Sequence, residues 1–240
     1  RPFAEILRQW STFHPELSFL PRKFKVAFTG TREDRALIQV HDLAFEAITN
    51  TPEVSFRVRA GGGLGRTPVL GPIIEESLHW KNILIFTHAL MRVYNQLGRR
   101  DNLTKARIKI LIKTVGVEEF KTLLKKEIKH LKRSVAPLSE AVLEKVKEQF
   151  VKESEIIKKV KLIEPSTSEK NLCKQQNYVD FEKWKKRSVI EHKIKGINIV
   201  KIPVKGKGRA PGDVTTEEMY SLANIADKYS ASLIRVTHAQ

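Results

Sequence analysis

The sequence predicts an α+β fold, with an α/β body followed by a smaller unit built as strand, helix and strand. Three observations carry this expectation. Residues 20–28 and 54–58 alternate apolar and polar positions with a period of two, as half-buried strands do. Residues 104–132 repeat their apolar positions at helical spacing. A polar, turn-rich stretch from Glu164 to Gln176 then separates this body from a different C-terminal pattern. The expected division is residues 1–133 as the α/β domain, 134–176 as helical connector and polar linker, and 177–240 as the second unit.

Taken in order, Phe3, Ile6, Leu7 and Trp10 form one helical stripe, and His14-Pro15 ends that helix because a residue before proline avoids the α region. Leu20-Pro21-Arg22-Lys23-Phe24-Lys25-Val26-Ala27-Phe28 reads as a strand with Pro21 at its entrance, where no ladder donor is needed. Lys23 and Lys25 then share a face, with stems roughly 7 Å apart. Two ammonium groups at that spacing repel unless an anion lies between or above them. By itself the pattern describes a solvated strand face; the rest of the chain shifts that reading. Ala36 to Ile48, centred on Leu37 to Leu43, and Val54 to Val58 read as further strands, the latter running into Gly61-Gly62-Gly63-Leu64-Gly65. A helix is expected from Pro72 to Gln96, with Pro72 in its first turn. Asp101 or Asn102 should cap a helix from Thr104 to Val115, and Gly116 should end it as a left-handed residue. Val117 to Lys132 and Ser139 to Lys161 complete the helices of the body and connector.

Beyond the linker, Phe181 and Trp184 mark a short helix and Gly196 to Val204 a strand. Thr215 and Glu218 form a capping box for a helix reaching Tyr229, expected to bury Met219, Leu222, Ala223 and Ile225 or Ala226. Leu233 to Thr237 should return as a strand.

With 240 residues, 41% of them hydrophobic, the chain can bury a sizeable core. No apolar run reaches the roughly 18 residues a membrane span requires. One cysteine, Cys173, excludes a disulfide framework and fits a reducing, cytoplasmic compartment. A net charge of +17 asks for anionic partners. Nucleic acid is the generic one, but the basic residues do not interleave with aromatics as a single-strand binder needs, and those from Lys121 to Arg133 sit mostly at helical spacing, as on a solvated face. The glycine loop lets backbone approach a large flat ligand and offers N–H groups to its carboxylates. A dinucleotide is the competing ligand, disfavoured because the spacing is not Gly-x-Gly-x-x-Gly and no acidic residue ending a strand follows about twenty positions on.

The string from Leu20 to Phe28 resembles the substrate-lysine segment of the siroheme sulfite and nitrite reductases. Ala60-Gly61-Gly62-Gly63-Leu64-Gly65-Arg66-Thr67-Pro68 is similar to that family's glycine loop. Ala210-Pro211-Gly212-Asp213, a helix, and Ile234-Arg235-Val236-Thr237-His238-Ala239-Gln240 resemble its second ferredoxin-like half, which ends at the cofactor with Arg-x-Thr-x-x-Gln. Arg100 to Ile112 and Tyr178 to Lys186 fall between them in the family's order, while residues 121–175 match only loosely. Three features depart from the family. Its Cys-x5-Cys and Cys-x3-Cys cluster motifs and its first ferredoxin-like half are absent, so the chain is expected to be an internal portion of a longer polypeptide, missing both ends. Ala44 also stands where a His-Asp-x-Gly segment would have glycine, and His41 reads as a hydrogen-bonded core or loop histidine rather than an iron ligand.

The resemblance implies a sulfite-reductase hemoprotein-like α/β domain followed by a ferredoxin-like half domain. It implies siroheme as cofactor and a [4Fe–4S] cluster whose ligands lie outside this chain, with no metal ligand within it. Lys23 and Lys25 would be catalytic, binding the anion over the iron and donating protons. Arg22, Gly61, Gly62, Gly63, Gly65, Arg235, Thr237 and Gln240 would contact siroheme, and Arg100 and Arg107 are further basic candidates. The implied activity is assimilatory six-electron reduction of sulfite to sulfide, the alternative being nitrite to ammonia. The implied partners are the substrate anion and an acidic electron donor, either ferredoxin or an NADPH-dependent flavoprotein. Two rival classes are a basic nucleic-acid-binding module and a non-catalytic assembly subunit.

Overall fold

The computed structural model describes every residue except 32, 33, 35, 49–52, 160–177, 193–195, 207 and 237–240. It divides into two units, Arg1–Val151 and Lys152–Gln240. In the first, strands β1 (Val26–Thr29), β2 (Leu43–Ile48), β3 (Ser55–Ala60) and β4 (Ile73–His79) form one sheet in that spatial order. β1 runs parallel to β2, and the other neighbours are antiparallel. The mixed sheet and its helices make the unit α+β, as expected.

One face of the sheet is aromatic. Phe28 stacks on Phe45 at 4.7 Å between centroids, and Phe56 stands edge-on to Phe45 at 6.0 Å. Against this face pack helix α1 (Pro2–Ser11), through Phe3 on Phe56 at 5.2 Å, and helix α2 (Ile83–Leu97). Helices α3 (Ile108–Val115), α4 (Val117–Leu131) and α5 (Glu140–Lys159) extend the same core through Ile112, Phe120, Leu124 and Val146. α2 is its centre, apolar nearly all round and buried from Ile83 to Tyr94 at most positions, as a fully enclosed helix must be. On the opposite sheet face Ala27 and Ala44 pack against Ile38. Ala44 is fully buried there, so only a small side chain fits between β2 and the turn that crosses it.

Four expectations are corrected. The strand expected from Leu20 begins at Val26, the first residue with a ladder partner, so Lys23 and Lys25 lie in its extended lead-in. The strand expected at Leu37 is a 3-10 turn, Ile38–Val40, because the Asp34 carboxylate accepts the Ile38 N–H at 2.9 Å and competes with sheet pairing. The helix expected from Pro72 starts only at Ile83, and β4 comes first. Two register shifts against β3 leave Glu76 and Ser77 both exposed, so the buried residues Ile74 and Leu78 fall four apart and imitate a helical stripe. Finally, the helix expected from Thr104 is a 3-10 turn, Leu103–Lys105, capped by Asn102, with α3 following. Gly116 does end α3 with the positive φ, 92°, that favours glycine, but its ψ of 151° is not that of a left-handed helical residue, and the chain leads straight into α4.

In the second unit, helix α6 (Tyr178–Ser188) precedes an antiparallel pair, β5 (Val189–Glu191) and β6 (Asn198–Val200), and helix α7 (Thr216–Tyr229) follows. The capping box of Thr215 and Glu218 forms as expected. The strand–helix–strand order does not: both strands precede α7, and residues 233–236 make none. Of the side chains expected to be buried along α7, Ala226 alone is, with Met219 and Ile225 about half exposed. The linker Glu164–Gln176 and Cys173 lie outside the described residues. No helix among the described residues is long and apolar enough to cross a membrane.

The segment leading to Lys23 is tied to α2 by Glu16. Arg92 Nη2 and Nε donate to its two carboxylate oxygens at 2.6 and 2.7 Å, and His88 Nε2 lies 2.9 Å from it. The Arg92 guanidinium holds the Glu16 carboxyl down at about 2, against an ordinary 4.5. Burial, then the facing His88, pushes His14 below its usual range as well. A depressed carboxyl stabilises the fold above its unfolded value, and that contribution is lost as pH falls from 4.5 towards 2. Glu16→Gln should lower stability at pH 7 by only about 1 kcal/mol, since the pair is partly screened by solvent. The gap from the native chain should close in acid. Urea unfolding at the two pH values checks this; an equal gap at both contradicts it.

Candidate functional site

The site is organised by Asp42, the residue immediately before β2. Because β1 and β2 are parallel with Leu43 opposite Val26, Asp42 lies beside Lys25. Its Oδ2 accepts the Lys25 N–H at 3.0 Å, while the Leu43 N–H donates to the Lys25 carbonyl at 3.1 Å. Its Oδ1 accepts from Arg107 Nη2 at 2.7 Å and Nε at 3.1 Å. Its own carbonyl accepts the Gly61 N–H at 2.9 Å. A carboxylate 1% exposed is tolerated only with such charge-assisted donors around it. One side chain thus joins the lysine segment, the glycine loop and the start of α3.

Phe24 turns inward against Tyr94, with ring centroids 5.6 Å apart, so its neighbours Lys23 and Lys25 are both exposed. Neither has a carboxylate within ion-pair distance among the described residues. Arg22 Nη1 donates to the Leu103 carbonyl, which brings the loop before α3 against the same segment. Below it the Tyr94 hydroxyl donates to the Ala106 carbonyl at 2.8 Å, and burial, helped by the Asp42 charge, pushes the phenol up to about 12.

The glycine loop packs chiefly on the chain itself. A Cβ on Gly62 would stand 2.2 Å from the Gln39 carbonyl oxygen and 2.7 Å from that of His41, so backbone crosses backbone there. Gly61, at φ 80°, would bring a Cβ to 2.8 Å from Ile112. The N–H groups of Gly61, Gly62 and Gly63 donate to Asp42, His41 and Val69 carbonyls at 2.9 Å each. What faces solvent is the rim, from Leu64 through Gly65 to Thr67. Lys109 holds that rim from beneath: it is buried, and its Nζ donates to the Thr67 carbonyl at 2.6 Å and the Leu64 carbonyl at 3.3 Å.

The sequence pattern of the nitrite and sulphite reductase 4Fe-4S domain matches residues 1–132, more than half of the chain. The chain belongs to the nitrite and sulfite reductase family. It is 27% identical over 229 residues to a ferredoxin–nitrite reductase of Synechococcus elongatus, covering 94% of this chain and 36% of that protein. It is 33% identical over 132 residues to a ferredoxin sulfite reductase of Mycolicibacterium paratuberculosis, covering 54% of this chain and 23% of the relative. A Shewanella NADPH sulfite reductase hemoprotein beta-component is 32% identical over 111 residues, covering 43% and 20%. The chain therefore spans between a fifth and somewhat over a third of these relatives.

Of the residues expected at the site, Arg22, Lys25 and Gly61 to Gly63 come together around Asp42 and Arg107. Arg100 instead binds back to α2, donating to Asn95 Oδ1 at 2.6 Å. His41 is a hydrogen-bonded loop histidine, its Nδ1 2.9 Å from the Leu37 carbonyl. Arg235 is exposed in the second unit and outside any strand, and Thr237 and Gln240 lie outside the described residues. Lys109 carries no sequence signal of its own, and Asp42 none beyond its place in the His41-Asp42 pair that departs from the family pattern at Ala44. Asp42 sits in a segment that reads as a continuous strand, and Lys109 looks like one more lysine on a basic helix.

A basic donor set of Arg22, Lys23 and Lys25, on a segment joined through Asp42 to the glycine loop, fits a polycarboxylate such as siroheme. An iron–sulfur cluster finds no fit: no cysteine and no cluster of metal-ligating side chains stands among the described residues.

Gly62→Ala should destabilise the first unit by about 3 kcal/mol or more, because backbone rather than a flexible side chain must yield. Gly30→Ala, with nothing within 4 Å of the added Cβ, should be nearly neutral. Chemical denaturation of both variants tests the pair, and equal midpoints would remove the packing role from Gly62.

Proposed function

We propose that this chain forms the basic wall of a siroheme site in a reductase of small oxyanions, sulfite or nitrite. The observation that carries the proposal is the fixed Lys25 backbone, joined through Asp42 to the glycine loop, in a chain of this family. Siroheme, when bound, supplies the electrons at its iron. Lys25 and Lys23 hold the oxyanion by charge, and each can donate a proton to an oxygen that leaves as water. Arg22, braced on the Leu103 carbonyl, presents positive charge to the tetrapyrrole carboxylates, while the charge of Arg107 is balanced by Asp42 and its part is to hold that carboxylate in place. Gly61 to Gly63 contribute shape, since their N–H groups are already engaged, and the N–H groups nearest a ligand are those of the rim. A cofactor role for Arg235, Thr237 and Gln240 rests on the resemblance of residues 234–240 alone. The cluster ligands come from outside this chain.

The names of the relatives cover both substrates, and a pair of lysines suits either anion. The nitrite reading is favoured by the match to a nitrite reductase running over 94% of the chain, the sulfite reading by the higher identity, 33%, over the shorter stretch. The excess of positive charge, +17 over the whole chain, suits an acidic electron donor. Ferredoxin and an NADPH-dependent flavoprotein are the two candidates, as the names of the relatives imply.

Lys25→Met keeps the length and apolar stem of the side chain and removes charge and proton. In the siroheme-loaded full-length protein it should weaken oxyanion binding by roughly 1.5–3 kcal/mol and slow turnover by about 10²-fold or more, at unchanged siroheme content. Steady-state reduction of sulfite and of nitrite, with siroheme read by absorbance, measures both effects and identifies the preferred substrate. Full activity with normal siroheme would return the lysines to the status of a solvated surface.

A further inference from the structure

Lys23 and Lys25 are alike in the sequence and unlike in their attachment. The Lys25 main chain is held on both sides as it enters β1: Asp42 Oδ2 accepts its N–H at 3.0 Å and the Leu43 N–H donates to its carbonyl at 3.1 Å. Two residues earlier, the Lys23 main chain makes no such bond among the described residues. The carboxylate that does the holding cannot drift, being 1% exposed and clamped from its other oxygen by Arg107 at 2.7 Å. Arg107 packs over Gly63, with its Cζ 3.2 Å from where a Cβ would stand, so it occupies room that only a glycine leaves.

We propose that Asp42 is a positioning residue that makes Lys25 the fixed cation of the pair and leaves Lys23 the adjustable one. Lys25 then determines where the oxyanion sits, and Lys23 follows the oxygen that is being protonated. The inference rests on the oxyanion reading given above and deepens it. A preset charge binds without first being ordered, so the fixed lysine contributes more to affinity than its mobile neighbour.

Two measurements test it. In the chain as it stands, the Lys25 amide should exchange with deuterium at least about tenfold more slowly than the Lys23 amide. Asp42→Ala should erase that difference while the amides pairing β2 with β3 keep their protection. A Lys25 amide exchanging as fast as that of Lys23 in the native chain overturns the inference, whether or not the variant folds. In the siroheme-loaded full-length protein, sulfite and nitrite affinities follow from the optical shift of the cofactor. Asp42→Ala and Lys25→Met should there be strongly non-additive, because the first already spoils what the second removes, whereas Asp42→Ala and Lys23→Met should add. Additivity with Lys25, in a native protein that binds the anion, overturns the positioning role and leaves the functional reading intact. A native siroheme-loaded protein that binds neither anion overturns the functional reading, and with it the assignment of the anion to Lys25.

Discussion

A single buried carboxylate holds the site together. Asp42 has no water to solvate it, so its charge is balanced by the Arg107 guanidinium and its remaining lone pairs by main-chain N–H. Removing either partner would leave an uncompensated buried charge, a cost of about 3–5 kcal/mol in other proteins. The three segments that meet there, the lysine lead-in, the glycine loop and the start of α3, are far apart in sequence. Nothing else among the described residues ties all three. The geometry of the lysines is a consequence of that balance, rather than of the strand they precede.

The glycine loop follows from the same constraint. The Ile38–Val40 turn must pass directly over Gly62 for Asp42 to reach Lys25, and only a residue without Cβ permits the crossing. The three consecutive glycines therefore serve chain packing first. What the loop leaves open to solvent is the rim, which Lys109 fixes through two carbonyls from below. A buried ammonium bonded to neutral acceptors also leaves its positive charge uncancelled close to that rim, which favours an anionic ligand.

How much of this was legible in the sequence varies with the physics behind each element. α1, α4 and the capping box of α7 read directly, because helical spacing and local capping depend on near neighbours. β4 did not, because a bulge shifts its buried residues to a spacing of four. The Leu37–Leu43 segment hid a turn, because the Asp34 side chain competes locally with the sheet. The lysines and glycines were found through their pattern and family resemblance, yet the pattern misassigned the work of the glycine N–H groups. Asp42 and Lys109 were illegible for one reason. The guanidinium that balances Asp42 lies 65 residues away and the carbonyls that Lys109 holds lie 42 and 45 residues away, and no local period encodes such pairings. In the second unit, the apolar stripe of α7 predicts burial that the described residues do not provide.

The account stands or falls on where the siroheme iron lies. Anomalous diffraction at the iron edge, from crystals of the siroheme-loaded full-length protein, locates it without reference to activity. The expected result is an iron facing the exposed ammonium groups of Lys23 and Lys25 with no protein segment between, and the macrocycle edge along Leu64 to Thr67. An iron seated elsewhere, with both lysines open to bulk solvent, would contradict it.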